Sequence, residues 1–230
     1  RPADRRPASL LMGVRVLWED EALWAVVKPA GVLSEDGQGA NMPALIRRET
    51  GASYVGTVHR LDKEAAGVMV YAKTPASAAY LSALVAGRQM EKDYLAVVHG
   101  RPDPDTGEYR DYLFRDKNRG KSFVVNRPRR GVKEAVLQYK LLASIDGLSL
   151  VRVRLETGRT HQIRVQFSSR RMPLYGDRRY GGKEPDGLAL WSCRIAFTDG
   201  KGERRVFSAW PEGGVWEAFA DVIVSANNEE

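Results

Sequence analysis

The sequence is poor in the residue types that form disulfides and metal sites. Cys193 is the only cysteine, and histidine occurs three times in 230 residues. One cysteine excludes an internal disulfide framework and any multi-cysteine zinc site, and it indicates a reducing compartment in which the thiol stays buried and free. Three histidines and one cysteine also cannot supply the ligand set of a zinc deaminase.

Long apolar runs are missing as well. Stretches such as 22–27 fall far short of the roughly 20 residues that a membrane-spanning helix requires, so we expect a soluble, cytoplasmic protein. A chain of 230 residues can bury most of its apolar surface in one core. We therefore expect a single domain over residues 13–225, with a polar, flexible N-terminal tail at 1–12 and a short C-terminal tail at 226–230.

Basic residues outnumber acidic ones, 36 to 29, which gives a formal net charge of +7. This balance favours a polyanionic partner, although ordinary soluble domains also carry such a charge. The basic residues cluster at 117–121, 127–133, 170–171 and 178–179. Because glycine and proline interrupt them, these clusters are typical of solvated hairpin loops, and such loops could also line a groove for a polyanion.

The hydrophobic pattern predicts many short strands, few helices and no internal repeat. In one strand, at 148–155, the alternation shifts phase after Leu150. A helix is predicted after Thr160, which is a suitable N-cap residue. The other strands are predicted at 14–18, 22–28, 67–73, 91–99, 108–116, 122–126, 132–144, 188–197 and 203–208, and the other helices at 42–49, 75–87 and 215–224. The sum predicts an α+β fold on a large, mainly antiparallel mixed sheet with flanking helices and basic hairpin loops.

Several chemistries lack their motifs. His59-Arg60-Leu61-Asp62 differs from a kinase catalytic loop, because a leucine intervenes and the asparagine five residues after the aspartate is absent. Neither a glycine-rich phosphate loop nor a Gly-x-Ser-x-Gly elbow occurs. The residue types that remain for chemistry are a carboxylate, an arginine and a tyrosine on a basic background.

Two segments carry the strongest signal. In the first, Asp62 ends the run 59–62 just before an apolar strand, so its carboxylate lies at a tight turn. The second, 157–164, reads Thr-Gly-Arg-Thr-His-Gln-Ile-Arg and supplies Arg164. A carboxylate is a weak nucleophile unless it is oriented, and a guanidinium within hydrogen-bond reach can orient and neutralise it. A structural salt bridge is the alternative interpretation of the same pair.

These segments, together with Lys28-Pro29-x-Gly31, Lys92-Asp93-Tyr94 and Gly176-Asp177-x-x-Tyr180-Gly181, resemble the motifs of RluA-type RNA pseudouridine synthases. Their order and spacing cover residues 14 to about 212. The resemblance implies isomerisation of uridine to pseudouridine in ribosomal or transfer RNA by a protein without metal or organic cofactor. It also implies an RNA partner and no membrane; we expect a monomer.

The resemblance also implies residue roles. Asp62 matches the catalytic nucleophile, Tyr94 the tyrosine that packs against the base and is implicated in removing the C5 proton, and Arg164 the arginine that pairs with the aspartate. Six further residues are predicted to bind substrate or to line its path: Lys28, His59, Arg60, Arg129, Arg130 and Ile163. Since a stacked base cannot be reached, the target uridine must be extruded and stacked on an aromatic surface.

The sequence departs from the family pattern near the nucleophile. Ala65 and Ala66 stand where the family usually has threonine and serine, so hydroxyl hydrogen bonds at the catalytic turn are missing, and Gln166 stands where many members have histidine. We also expect no room for the small accessory RNA-binding domain of some members. An alternative function follows: a non-catalytic RNA-binding or RNA-folding factor on the same scaffold.

Overall fold

The computed structural model describes residues 9–11 and 13–228. Twelve strands are described: β1 (Ser9–Leu11), β2 (Val14–Glu19), β3 (Leu23–Lys28), β4 (Gly56–Thr57), β5 (Ala66–Ala72), β6 (Glu91–His99), β7 (Thr106–Asp116), β8 (Lys121–Val125), β9 (Val132–Ile145), β10 (Leu148–Leu155), β11 (Leu190–Thr198) and β12 (Arg204–Ser208). The helices are α1 (Met42–Thr50), α2 (Pro75–Ala86), α3 (Gln162–Ser169) and α4 (Ala220–Asn228), with a 3₁₀ helix at Gly214–Phe219. The predicted α+β class with a mainly antiparallel sheet is confirmed.

The chain divides into two compact units, which are described separately. The first unit contains residues up to Lys92 together with Ser192–Ala209. Its strands follow the order β1-β2-β3-β5-β11, with β12 against β11 and β4 against β5. The pairs β2–β3 and β3–β5 are antiparallel.

The centre of the first unit is apolar on both faces of its sheet. Six consecutive residues of β5, Gly67 to Ala72, are buried, and β3 buries Leu23 to Val26 in the same way. Such continuous apolar runs suit strands that are covered on both sides. Helix α2 begins at the N-cap Thr74, whose side chain accepts a hydrogen bond from the amide of Ser77, and Pro75 occupies its first turn, where proline is tolerated.

The second unit contains residues 93–191 and the described residues from Trp210 onward, with strand order β6-β10-β9-β7-β8. Strand β10 is antiparallel to both β6 and β9. Its register against β9 shifts between Leu150 and Val151. The residue skipped in this pairing, Leu142, belongs to β9, and β10 pairs with β6 without a shift. The change of phase in the sequence of β10 therefore does not mark a bulge of that strand; Ser149, Leu150 and Val151 are all buried, so both faces of β10 are covered there.

Helix α3 packs on one face of the second unit's sheet. Val165 lies in a buried cluster with Leu113, Ala135 and Tyr180. On the same helix, the Phe167 ring meets the rings of Tyr109 and Tyr139 at centroid distances of 5.1 and 6.0 Å. This packing fixes the helix that carries Arg164 against β7 and β9.

Three local predictions differ from the structure. The closing helix, expected over 215–224, begins as a 3₁₀ helix and becomes α-helical only at Ala220. The short strand β4 was not predicted, because two residues give no alternation to detect. Helix α3 has His161 as its N-cap, with φ of 56°, so Thr160 is not the cap.

The predicted N-terminal tail falls mostly outside the described residues, as do residues 229 and 230 of the predicted C-terminal tail. Ser9–Leu11, within the predicted N-terminal tail, pair with β2 as a short antiparallel strand. Among the described residues, no helix has the length and apolar character needed to cross a bilayer.

Candidate active site

Asp62 lies in the connection between β4 and β5, in the first unit, and is half-buried. The residues after it form a turn, in which the Ala65 amide donates to the Asp62 carbonyl at 3.1 Å. Leu61, on its other side, is buried. The predicted nucleophile therefore sits on a short turn between a buried residue and a buried strand, as the sequence indicated.

Lys28 fixes this turn through hydrogen bonds to backbone carbonyls. Its side chain is fully buried, and Nζ donates to three backbone carbonyls, those of Pro29 at 2.9 Å, Val32 at 2.7 Å and Lys63 at 3.1 Å. The Lys63 carbonyl also accepts from the Gly31 amide at 2.7 Å. Because Lys63 follows Asp62 directly, the ammonium ties the turn that carries Asp62 to the loop after β3.

Three acceptors match the three protons of an ammonium, so every N–H donor of the charged form of Lys28 has a hydrogen-bond partner. Burial lowers the pKa of Lys28 to about 8, against the opposing effect of the negative charges of Asp62 and Glu64. Lys28 was predicted to bind substrate or to line its path. Its geometry supports a role exerted through the backbone of the turn.

Ser34 holds the residue before Asp62, whereas Lys28 holds the residue after it. Its hydroxyl donates to the Leu61 carbonyl at 2.8 Å and accepts from the Leu61 amide at 3.0 Å. The Ser34 carbonyl in turn accepts from the Tyr71 hydroxyl at 2.6 Å. Neither Ser34 nor Tyr71 was identified from the sequence. Together they order the residue before Asp62 in a chain that has alanines where the family has hydroxyls.

His59 is buried at 7% exposure, and its Nε2 accepts from the Val70 amide at 3.0 Å. Burial, with a smaller contribution from the charge of Lys92, lowers the pKa of His59 to about 3. The imidazole is therefore neutral with its proton on Nδ1, which has no hydrogen-bond partner among the described residues. This arrangement ties the start of the motif to β5.

Gly67 is required by close packing at the end of the turn. Its φ is 120°, and a Cβ atom there would lie 2.3 Å from the carbonyl oxygen of Ser192. A side chain would thus be both strained and in collision with backbone. Arg60, in contrast, is exposed, and its Nη1 lies 2.8 Å from Oε1 of Glu35.

Tyr94 lies in β6 of the second unit and is 5% exposed. It pairs in register with Val153 of β10. The neighbouring Asp93 is also buried, and it accepts from Arg154 at 2.7 Å and from Arg152 at 2.8 Å. Burial by itself opposes ionisation of Asp93, but these arginine hydrogen bonds outweigh it and lower the pKa of the carboxyl. The strand that presents Tyr94 is thereby fixed by ionic contacts.

Arg164 is buried within α3 of the second unit. Its Nε and Nη2 donate to the two carboxylate oxygens of Asp177, both at 2.8 Å, and its guanidinium carbon lies 5.4 Å from the centre of the Tyr180 ring. The bidentate pair sets the plane of the guanidinium. The role of Asp177 was not predicted, although the residue belongs to the Gly176-Asp177 motif. The pairing of Arg164 with Asp62 remains a prediction.

The loop before α3 is organised by Gln162. Its Oε1 accepts from the Thr157 hydroxyl at 2.8 Å and from the Arg159 amide at 3.0 Å. These bonds order the loop before the helix, and the side-chain cap expected from Thr160 is not formed. Ile163 is 3% exposed and packs inside the fold.

Arg129 and Arg130 lie in the exposed turn between β8 and β9. Lys28, His59, Arg60 and Asp62 thus belong to the first unit, whereas Tyr94, Arg129, Arg130, Ile163 and Arg164 belong to the second. Within the described residues, no cluster of three or more His, Cys, Asp or Glu side chains could hold a metal ion.

Comparison with known proteins gives a consistent result. A family model described as RNA pseudouridylate synthase matches residues 22–169. The chain is 35% identical over 202 residues to ribosomal large subunit pseudouridine synthase D of Zymomonas mobilis, covering 83% of this chain and 62% of that protein. It is 36% identical over 181 residues to the protein of the same name from Xylella fastidiosa, covering 75% of this chain and 54% of that one. This chain therefore spans less than two thirds of the length of these relatives.

Among solved structures, human RNA pseudouridylate synthase domain containing 4 is similar to this chain with a TM-score of 0.75 and 25% sequence identity. The similarity covers 91% of this chain and 92% of the human one. It extends through both units and is not confined to the turn that carries Asp62.

Proposed function

The chain belongs to the RNA pseudouridylate synthase family, and from this membership we propose that it isomerises uridine to pseudouridine in structured RNA. The observation that carries the proposal is the family match over residues 22–169, which includes Asp62, Tyr94 and Arg164. Two similar proteins are named for the ribosomal large subunit, so we propose ribosomal RNA as the first substrate to test and transfer RNA as the second.

In the proposed reaction, the bond between C1′ of the ribose and N1 of uracil breaks and a bond between C1′ and C5 forms. The proton on C5 leaves to solvent and N1 takes up a proton, so no co-reactant is consumed. Asp62 is the nucleophile that forms a covalent adduct with the substrate, on the ribose or on the pyrimidine. The bonds of Lys28 and Ser34 to the backbone support this role, because they fix the turn that presents the carboxylate.

Tyr94 packs against the extruded base and participates in removing the C5 proton. Arg164 orients the Asp62 carboxylate, and its own plane is set by Asp177. Arg60, Arg129, Arg130 and Ile163 are proposed to contact the RNA or to line its path. Lys28 and His59 act through the backbone. Lys28 holds the turn that carries Asp62, and His59 accepts a hydrogen bond from β5.

We propose that the protein acts in the cytoplasm as a monomer without a metal ion or organic cofactor. Oligomeric state is measured by sedimentation, and metal dependence by activity after dialysis against a chelator. Unchanged activity with a monomeric mass is the expected result.

The activity is tested by tritium release. RNA labelled with tritium at uridine C5 is prepared from cells lacking the gene, separated into ribosomal and transfer fractions, and incubated with the wild-type protein. We expect release from ribosomal RNA and a product nucleoside of unchanged mass with altered chromatographic mobility. Absence of release from both fractions, with RNA binding intact, would contradict the proposal and favour the non-catalytic RNA factor.

A further inference from the structure

The positive charge of the chain is concentrated in one hairpin. Residues 117–133, which we call the basic hairpin, contain seven lysines and arginines and no acidic residue. That excess equals the formal net charge of +7 for all 230 residues. The remainder of the chain is therefore balanced, and a polyanion is attracted chiefly to this segment.

The basic hairpin borders an aromatic face of the sheet. Tyr112 and Phe114 are two residues apart on β7 and so share a face, and Phe123 of β8 pairs directly with Phe114. Leu113 and Val124 point to the opposite face, where they join the buried cluster beneath α3. Tyr112 is 37% exposed. This side of the β7–β8 pair is therefore the one turned away from the core.

Two cations of the hairpin stand over these rings. The Arg129 guanidinium carbon lies 5.3 Å from the centre of the Phe114 ring. Lys121 Nζ lies 5.7 Å from the centre of the Phe123 ring and 4.8 Å from that of Tyr180. Aromatic rings and arginine planes on a sheet are the groups on which unpaired bases stack, while the surrounding cations hold the phosphates. Paired bases offer no faces to such a surface.

The hairpin is also anchored to the loop that leads to Arg164. The Ser122 amide donates to the Tyr180 hydroxyl at 2.7 Å, and the Ser122 hydroxyl donates to the Thr160 carbonyl at 2.8 Å. On the turn before β8, Arg179 Nη1 donates to the Gly120 carbonyl at 2.8 Å. A platform held in this way keeps its rings in place, which lowers the entropy lost when a base stacks.

From these observations we propose that the outer face of β7 and β8, with the basic hairpin, binds a single-stranded RNA segment by base stacking as well as by phosphate contacts. Tyr112 is the exposed stacking residue, and Arg129 and Lys121 contact phosphate. The choice of RNA as the polyanion rests on the proposed function. The surface deepens that function, because it selects substrates in which unpaired nucleotides accompany the reacting uridine.

The test measures binding of a fluorescent ten-nucleotide single strand, and of the same strand annealed to its complement, across a salt titration. Tyr112→Ile removes the ring but retains β propensity and apolar character. Tyr54→Ile is the matched control, because Tyr54 is also 37% exposed and belongs to neither β7 nor β8. A double variant, Lys121→Gln with Arg129→Gln, removes charge alone. Thermal melts establish that each variant is folded.

We expect Tyr112→Ile to weaken single-strand binding by roughly fivefold or more, with an unchanged salt slope and unchanged duplex binding. The double variant should reduce the salt slope by about 1.4, since each lost phosphate contact contributes about 0.7 on a single strand. If Tyr112→Ile matches Tyr54→Ile, or weakens duplex and single strand equally, the stacking surface is refuted. These outcomes do not depend on tritium release, so failure of the synthase activity and failure of this surface are separable.

Discussion

Lys28 and Arg164 are both buried cations in segments that resemble family motifs, yet the protein holds them in different ways. Lys28, in the first unit, donates to three neutral carbonyls. Arg164, in the second unit, forms a bidentate pair with the carboxylate of Asp177. One cation is therefore a backbone clamp, whereas the other is half of an ion pair that fixes a side-chain plane.

The two arrangements differ in how the charge of the cation responds to pH. Neutral acceptors leave the charge of Lys28 uncompensated locally, so its protonation state responds to burial and to Asp62 and Glu64. A guanidinium cannot be deprotonated in a protein, so the charge of Arg164 does not respond to pH, and the plane of its side chain is set by the pair with Asp177. Three experiments test these contacts: removal of the Asp177 carboxylate, removal of the Ser34 hydroxyl that holds the same turn as Lys28, and a change of pH across the titration of Lys28.

The largest effect is expected for Asp177→Asn. It removes the carboxylate that accepts from both Nε and Nη2 of the buried Arg164 guanidinium, and breaking a buried ion pair typically costs about 3–5 kcal/mol in the free energy of unfolding. Urea unfolding measures this loss. Asp186→Asn is the control, since Asp186 accepts only from Tyr175 in an exposed contact. Equal stabilities for the two variants would show that the bidentate pair is dispensable.

A smaller effect is expected for Ser34→Ala. Removing the hydroxyl leaves the Leu61 amide and carbonyl without their side-chain partner, a loss of about 1–2 kcal/mol in the free energy of unfolding. At saturating RNA, tritium release should also slow, with unchanged RNA affinity, because the turn that carries Asp62 is less ordered.

Ser192→Ala is a closely matched control for this experiment. Ser192 is also buried, but its hydroxyl has no hydrogen-bond partner in the described part of the chain, so its removal should be nearly neutral. Ser34→Thr retains a hydroxyl and should restore much of the rate. A normal rate in Ser34→Ala would exclude a positioning role for Ser34.

The third effect is a pH dependence of stability, which is spread over the interval between the folded and unfolded pKa values of one lysine. The folded-state pKa of Lys28 is about 8, below its ordinary value of 10.5, because burial disfavours the charge. Between these values the unfolded chain binds more protons than the folded one, so the free energy of unfolding contributed by Lys28 rises with pH. Relative to Lys28→Met, the wild type should gain up to about 1.4 kcal/mol per pH unit between pH 8 and 10.

Urea unfolding at pH 7, 8, 9 and 10 compares the two proteins. Each curve by itself includes other groups, among them Tyr71, whose phenol pKa is raised by burial. The difference between the curves isolates Lys28. Parallel curves would mean that the ammonium is not affected by its burial.

Regular elements were predictable because their periodicity is local. The bounds of β6 and β10 were predicted from alternation alone, whereas the extra residue of β9 at the register shift between β9 and β10 was not predicted. The 3₁₀ start of the last helix was missed, because its apolar residues fit an α-helical spacing equally well.

Site residues were predictable only where a motif marked them. Asp62 and Arg164 stand in such motifs, whereas Ser34 contacts Leu61 across 27 residues and Tyr71 contacts Ser34 across 37. No spacing rule connects residues that far apart. Asp177 lies inside a recognised motif, but its place as the partner of Arg164 depends on how the irregular segment after α3 folds back.

In the proposed reaction Asp62 forms the covalent bond to the substrate, and single-turnover tritium release tests this role most directly. Wild type and Asp62→Asn are each mixed in excess with labelled ribosomal RNA, and the dissociation constant for the same RNA is measured in parallel. We predict equal affinities and release slowed by at least about a thousandfold in Asp62→Asn. Release near the wild-type rate, at equal affinity, would contradict the claim.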